Sequence, residues 1–215
     1  MIELWSFGSR EEWLEARKGT IGGSDAGVIL GLNQYKTNVD LWEEMTGRRI
    51  APDVSTSPAV EFGRAAEEPI RRLFELEHPE FIVAHYDNSF YVNDAFPFAH
   101  ASLDGELVDV EKNSFGVLEI KTGTITSLMM RKKWENRVPD TYYAQICFYL
   151  GVTGFSFAVL RAHLRMYGWS EDREYRFNRD DEMEKDIQLV MDSCEEFYEA
   201  VKEDRRPGLI LPELR

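Results

Sequence analysis

From Gly116 to Thr122 the chain reads Gly-Val-Leu-Glu-Ile-Lys-Thr, an apolar run broken only by one acid and one amine. A run this short and this apolar predicts a strand covered on both faces of a sheet. Residues two apart on a strand share a face, so Glu119 and Lys121 point one way and Ile120 points the other, into a core. On most strands a Glu-x-Lys pair is only a solvated face. Here the neighbours argue against that, because charge on a doubly covered strand is costly unless paired or metal-bound. Fourteen residues separate Glu119 from Asp104, which sits in Ala-Ser-Leu-Asp-Gly. Gly105 and the Asn113-Ser114 pair offer turn chemistry for two neighbouring strands, which brings the second acid within reach. Two carboxylates and an ammonium in one place suit hard-cation binding and phosphodiester hydrolysis.

A length of 215 residues fits a single domain over 1–215, or one domain with a small appendage. No apolar stretch is long enough to span a bilayer. Met-Ile-Glu-Leu-Trp-Ser at the start lacks the basic and apolar segments of a secretory leader. Cys147 and Cys194 lie among apolar neighbours and read as buried thiols of a reducing cytoplasm. Two cysteines are too few to ligate an iron–sulfur cluster or a structural zinc alone. The net charge of −14 argues against a simple nucleic-acid coat. Half of it falls in residues 171–206, with fourteen acidic and seven basic side chains. Basic clusters at Arg17-Lys18, Arg71-Arg72, Arg131-Lys132-Lys133 and Arg161 with Arg165 leave room for a basic groove on an acidic exterior.

Capping and periodicity predict N-terminal helices within 9–47: one over 9–18 with Ser9 as cap and Glu12 completing a capping box, one capped by Ser24 through Leu30, and one over Asn38–Met45. A Pro- and Ser-rich loop over 50–57 leads to a long helix from Pro58 to about Leu76. Strand character follows over 81–121, with Ala99 to Val108 read as one strand. Helices are predicted over 125–136 and 140–150, the latter capped by Asp140. Strands return at Phe155–Arg161 and Glu174–Phe177. The last helix, about 180–204, lines up Met183, Ile187, Val190, Met191, Cys194, Phe197, Tyr198 and Val201 on a face meant for the core or a second subunit. Gln145 stands in the middle of an apolar helix, where a buried amide needs partners. The order of elements suggests an α/β sandwich around a mixed sheet.

Five motifs occur in one order between about Trp13 and Val159: Arg17-x-Gly19-x-Ile21-Gly22-Gly23-Ser24-Asp25, Gly63-x3-Glu67, Ser102-Leu103-Asp104-Gly105, Leu118-Glu119-Ile120-Lys121 and Ala144-Gln145. The set resembles the phage-type alkaline exonucleases, that is, the YqaJ-like viral recombinases and the lambda exonuclease group within the PD-(D/E)xK nuclease superfamily. The family's usual proline before the aspartate is Leu103 here. The resemblance implies an α/β, restriction-endonuclease-like core over 58–177, a central mixed β-sheet flanked by helices. It implies that Asp104, Glu119 and the Ile120 carbonyl hold Mg²⁺ or Mn²⁺, and that Glu67 helps hold a second ion. Glu68 stays open as the alternative to Glu67, since both precede Pro69. Lys121 would position or deprotonate the attacking water, and Gln145 would support that water or the metal shell. Arg17, Gly23 and Ser24 would form a pocket for the 5′-phosphate of DNA. The activity implied is 5′-to-3′ exonuclease digestion of linear double-stranded DNA to mononucleotides. The product is a 3′ overhang for a single-strand annealing protein. The resemblance also implies a homo-oligomer, a trimeric ring in the lambda-type members, working without membrane association in the cytoplasm of a bacterial host and of phage or prophage origin. Rival readings are a related nuclease of other polarity or endonuclease action, a catalytically inactive DNA-end-binding recombination protein, and an unrelated acidic α/β protein.

Overall fold

The computed structural model describes residues 1–54 and 56–211. Of the loop predicted over 50–57, Ser55 lies outside the described residues. In chain order the elements are β1 (Ile2–Ser6), α1 (Arg10–Ala16), β2 (Ile21–Gly22), α2 (Gly23–Ile29), α3 (Asn38–Met45), α4 (Pro58–Glu77), β3 (Phe81–Ala84), β4 (Ser89–Asn93), β5 (Ala99–Ala101), β6 (Gly105–Asp109), β7 (Ser114–Thr124), α5 (Leu128–Lys132), α6 (Asp140–Thr153), β8 (Phe157–Met166), β9 (Trp169–Asn178) and α7 (Asp181–Lys202). The larger sheet runs β3-β6-β7-β8-β9, with β7 and β8 parallel and the other neighbours antiparallel. Parallel strands need a crossover, and α5 with α6 supplies it.

The doubly covered strand read from the sequence is β7. Val117, Leu118, Glu119 and Ile120 are all buried. Leu118 and Ile120 pack with Ile70 and Phe74 of α4, while Val117 joins the core on the opposite face with α6. Helix α6 is apolar on every side because the sheet lies under it and α7 over it; every residue from Ala144 to Thr153 is buried. Gly154 ends it in the left-handed conformation at φ +67°. The apolar face of α7, from Met183 through Phe197 to Ala200, is spent on the core, which answers the choice left open between core and subunit contact.

The meander expected as one sheet is divided in two. Ala99 to Val108 breaks at Ser102–Asp104, so β5 pairs with β4 and β2 in a second sheet of order β1-β4-β5-β2 while β6 pairs with β3 and β7. The cause lies in Asp104 itself. Its carboxylate accepts from the Ile120 N–H at 2.7 Å and its carbonyl accepts from Arg71 at 2.7 Å, and both pull it out of a regular ladder. A hydrogen bond from the Tyr91 hydroxyl to Glu106 ties the two sheets together.

Three cap assignments also change. Gly22, not Ser24, caps α2, and Asp25 reaches back to the Gly22 N–H at 3.1 Å. Thus a glycine cap with an acidic third residue replaces the serine. Pro139 rather than Asp140 precedes α6, and Asp140 lies in its first turn. Ser9 caps α1 as expected, but Glu12 accepts from Gly8 instead of closing the box on Ser9. Among the described residues no helix is long and apolar enough to cross a membrane. Cys147 and Cys194 are free and buried, and burial pushes the Cys147 thiol up to about 12.

Candidate active site

Strand pairing builds the acidic centre. The β6–β7 ladder ends with Gly105 opposite Leu118, so Asp104 comes one step beyond, alongside Glu119. Helix α4 contributes Glu67, whose charge bears on both Asp104 and Glu119. Arg71, one turn on, holds Glu67 at 3.3 Å and the Asp104 carbonyl at 2.7 Å. Glu68 instead pairs with Arg72 on the exposed side of the helix at 2.5 Å. Glu67 thus lies toward Asp104 and Glu119, and Glu68 faces away from them.

Glu119 is the deepest of these groups, its side chain 3% exposed. One oxygen, Oε1, is held by Lys121 Nζ at 2.5 Å and by Gln145 Nε2 at 2.8 Å. The other, Oε2, is buried without a hydrogen-bond partner. Burial, with Glu119 and Glu67 nearby, holds the Asp104 carboxyl well above the usual carboxylate range. Glu119 is also raised, chiefly by burial, against the pull of Lys121. Burial works against the Lys121 charge, but Glu119 and Asp104 outweigh it and raise the ammonium above its ordinary value. The amine also lies 5.0 Å from the centre of the Tyr142 ring.

A second constellation adjoins the first. Parallel pairing of β2 with β5 sets Gly22 beside His100, and the end of α1 brings Arg17 over both. Arg17 stacks on Trp13 at 4.2 Å and donates from Nε to His100 Nε2 at 2.8 Å. Gly23 lies against Tyr149 of α6, where a Cβ would come within 2.3 Å of the ring. Tyr149 in turn accepts from Gln145 at 2.9 Å. Gln145 therefore links Glu119 to the tyrosine that packs against Gly23. Ser24 is exposed in the first turn of α2. The close approach at Gly23 gives a direct expectation. Gly23→Ala should destabilise the fold by about 1–3 kcal/mol, the usual cost of overpacking. An unchanged urea midpoint would show that Tyr149 yields freely.

Two of the arginines read from the sequence as groove cations are engaged elsewhere. Arg161 is buried and bridges Glu77, Asp172 and Glu174, so it neutralises acids of α4 and β9 and faces no groove. Glu77, His78 and Glu174 bring ligand atoms within 4.8 Å of one another, and the Arg161 guanidinium already supplies a cation there. Arg165 instead lies 3.5 Å over the Phe62 ring and donates to Thr124. His100, Thr20, Trp13 and Tyr149 escaped the reading of the sequence. The Gln145–Tyr149 spacing of one helical turn is the one signal that pointed toward them.

The fold is shared with known exonucleases. The fold matches that of an alkaline exonuclease from Laribacter hongkongensis with a TM-score of 0.61, at 19% identity, over 90% of this chain and 97% of that one. It also matches a phage-related exonuclease from Haemophilus somnus 129PT with a TM-score of 0.55, at 11% identity, over 86% of this chain and 96% of that one. The architecture is thus the restriction-endonuclease-like fold of phage exonucleases. The chain belongs to the YqaJ-like viral recombinase domain family, whose profile matches residues 12–156. An uncharacterized protein YqaJ of Bacillus subtilis (strain 168) is 34% identical over 196 residues, and the match covers 88% of this chain. The chain spans 56% of that relative's length.

Proposed function

We propose that the protein is a divalent-metal-dependent exonuclease that digests one strand of linear duplex DNA from its 5′ end. It releases mononucleotides and leaves a 3′ overhang for a single-strand annealing partner. The observation that carries this reading is the buried, unpartnered Glu119 Oε2 beside Asp104 and Glu67. An orphaned carboxylate oxygen in an acidic cluster is costly, and a hard cation is the natural partner for an all-oxygen donor set. The residues therefore fit Mg²⁺ or Mn²⁺. Asp104, Glu119 and the Ile120 carbonyl would hold one ion, and Glu67 would help hold a second. Bound there, such ions polarise a phosphate and neutralise its developing charge.

The chain's own groups divide the remaining work. Lys121 is favoured as the ammonium by its two acidic neighbours, so it orients the attacking water and offsets phosphate charge instead of abstracting a proton. Gln145 keeps Glu119 Oε1 in place, so Oε2 is the oxygen that would take a cation. Arg17 takes the terminal 5′-phosphate, helped by Ser24 and the backbone amide of Gly23. The Laribacter enzyme has also been solved in complex with dAMP, a ligand of the class this reading expects as product. A ring-shaped homo-oligomer, a trimer by likeness to the lambda-type members, would keep DNA in a channel despite the acidic exterior. Action in a bacterial host's cytoplasm, by a protein of phage or prophage origin, completes the proposal.

The test uses linear duplex labelled at one 5′ or one 3′ end, with Mg²⁺ and with chelator. Early release of the 5′-terminal mononucleotide, only with metal and only from ends, is expected. Cleavage of closed circles would replace the exonuclease by an endonuclease. Tight end binding without cleavage would leave a catalytically inactive recombination factor.

A further inference from the structure

We infer that His100 is a positioning residue for end recognition, working as a neutral hydrogen-bond acceptor that aims the Arg17 guanidinium at a terminal phosphate. The inference rests on the 5′-phosphate reading of the Arg17 pocket and adds to it the group that sets the arginine's direction. A guanidinium has one Nε–H edge and one edge made by its two terminal nitrogens. In this chain the Nε edge is consumed, since it donates to His100 Nε2 at 2.8 Å. One face of the same plane is consumed too, resting 4.2 Å from the centre of the Trp13 ring. With an edge and a face fixed, the orientation of the fork is set. Among the described residues no carboxylate lies in ion-pair contact with Arg17; Asp25 acts on it only from a distance.

The imidazole can play this part only in one state. To accept at Nε2 it must carry its proton on Nδ1. The surroundings enforce that tautomer: Nδ1 faces Thr20 Oγ1 at 2.9 Å, and that hydroxyl spends its own proton on the Arg17 carbonyl at 2.9 Å. Arg17, His100 and Thr20 therefore close a ring in which every proton has one direction. His100 is buried, and burial with the adjacent guanidinium pushes its pKa down to about 3. The ring thus stays an acceptor across the working range. Gly22 lets this happen, because a Cβ there would lie 3.0 Å from His100 Nε2 and 3.6 Å from Arg17 Nη2. A histidine kept only for packing would need neither a fixed tautomer nor a cation on its lone pair.

The experiment measures binding of short duplexes with a 5′-phosphate or a 5′-hydroxyl end, at low salt with chelator, and takes the ratio of the two affinities. General losses of fold or DNA affinity cancel in that ratio. Arg17→Ala should bring it to about one. His100→Leu should lower it roughly ten- to a hundredfold, the effect of one hydrogen bond to a charged group. His100→Gln, whose amide oxygen can replace the ring acceptor, should restore it to within about threefold of wild type, well short of the loss of that bond. Thr20→Val keeps the ring and frees its tautomer, so it should lower the ratio a few-fold even if His100→Leu fails to fold. A collapsed ratio in Arg17→Ala with wild-type ratios in His100→Leu and Thr20→Val overturns the role of His100 and leaves the pocket standing. Equal collapse in His100→Leu and His100→Gln also overturns it, because an acceptor would then not suffice. A wild-type ratio in Arg17→Ala sinks the pocket reading itself.

Discussion

Replacing Asp104 by Asn is expected to abolish hydrolysis and, in the same protein, to raise thermal stability when divalent cations are chelated. The first effect follows from losing a carboxylate that would hold the cation. The several kcal/mol of charge stabilisation at stake correspond to about 10³-fold or more, at roughly 1.36 kcal/mol per decade. The second follows from the crowding of acids. Asp104 is held well above the usual carboxylate range by burial and by Glu119 and Glu67. A carboxyl raised in this way costs nothing below its unfolded-state pKa. The cost grows as pH climbs from there and is complete once pH passes the folded-state value. Asn keeps an oxygen for the Ile120 N–H, 2.7 Å away in the native protein, and removes the charge. Each kcal/mol recovered raises Tm by about 2–4 °C in a chain of this size. Mg²⁺ should reverse the order, since ligand binding stabilises only the protein that binds it. Calorimetry of both proteins with and without Mg²⁺ checks this. Metal-dependent cleavage by the variant, or a variant less stable than wild type in chelator, removes Asp104 from the site.

Lys121→Met should have the opposite signature in stability and the same direction in activity. Hydrolysis is expected to fall by about 10²–10³-fold, the usual cost of removing one preorganised donor from the charge that develops on the phosphate. Methionine retains the aliphatic stem beside Tyr142 and deletes the ammonium that holds Glu119 at 2.5 Å. Breaking a buried pair from one side costs about 3–5 kcal/mol, because the remaining charge is left uncompensated. At neutral pH the variant should lose that much in urea unfolding. The deficit should shrink on acidification, as Glu119 takes up a proton and no longer needs its partner. A rate loss under tenfold would argue against a chemical role, and a pH-independent deficit would place the stabilisation elsewhere.

The parts of this molecule that could be read from sequence are those fixed by near neighbours. Strand β7 announces itself by composition, and turn residues at Gly105 and Asn113 put Asp104 next to Glu119. Gln145 is legible as an amide that must find a partner inside an apolar helix, and it finds Glu119. What escaped depends on distant pairing. β1 is held by β4, with Ile2 opposite Asn93, and two-residue β2 exists because β5 lies beside it. The break at Ser102–Asp104 is imposed by Arg71 and Ile120, which no local pattern reveals. Arg161 looked like a groove cation beside Arg165, but its acids come from α4 and from β9 across the hairpin. His100 is silent in sequence because a lone histidine on a strand has many uses, and only its Arg17 and Thr20 contacts select one.

The short span from His100 to Asp104 carries a further consequence. It leaves one sheet as β5 and enters the other as β6, with the His100 imidazole at one end and the Asp104 carboxylate at the other. Four residues of chain reach at most about 13–14 Å. Under the function proposed here, that tether works as a spacer gauge between the grip on a strand's end and the bond to be cut. Lengthening it by one residue would leave both chemistries intact and put them out of step. Working relatives should therefore vary in the side chains of this segment while keeping its length.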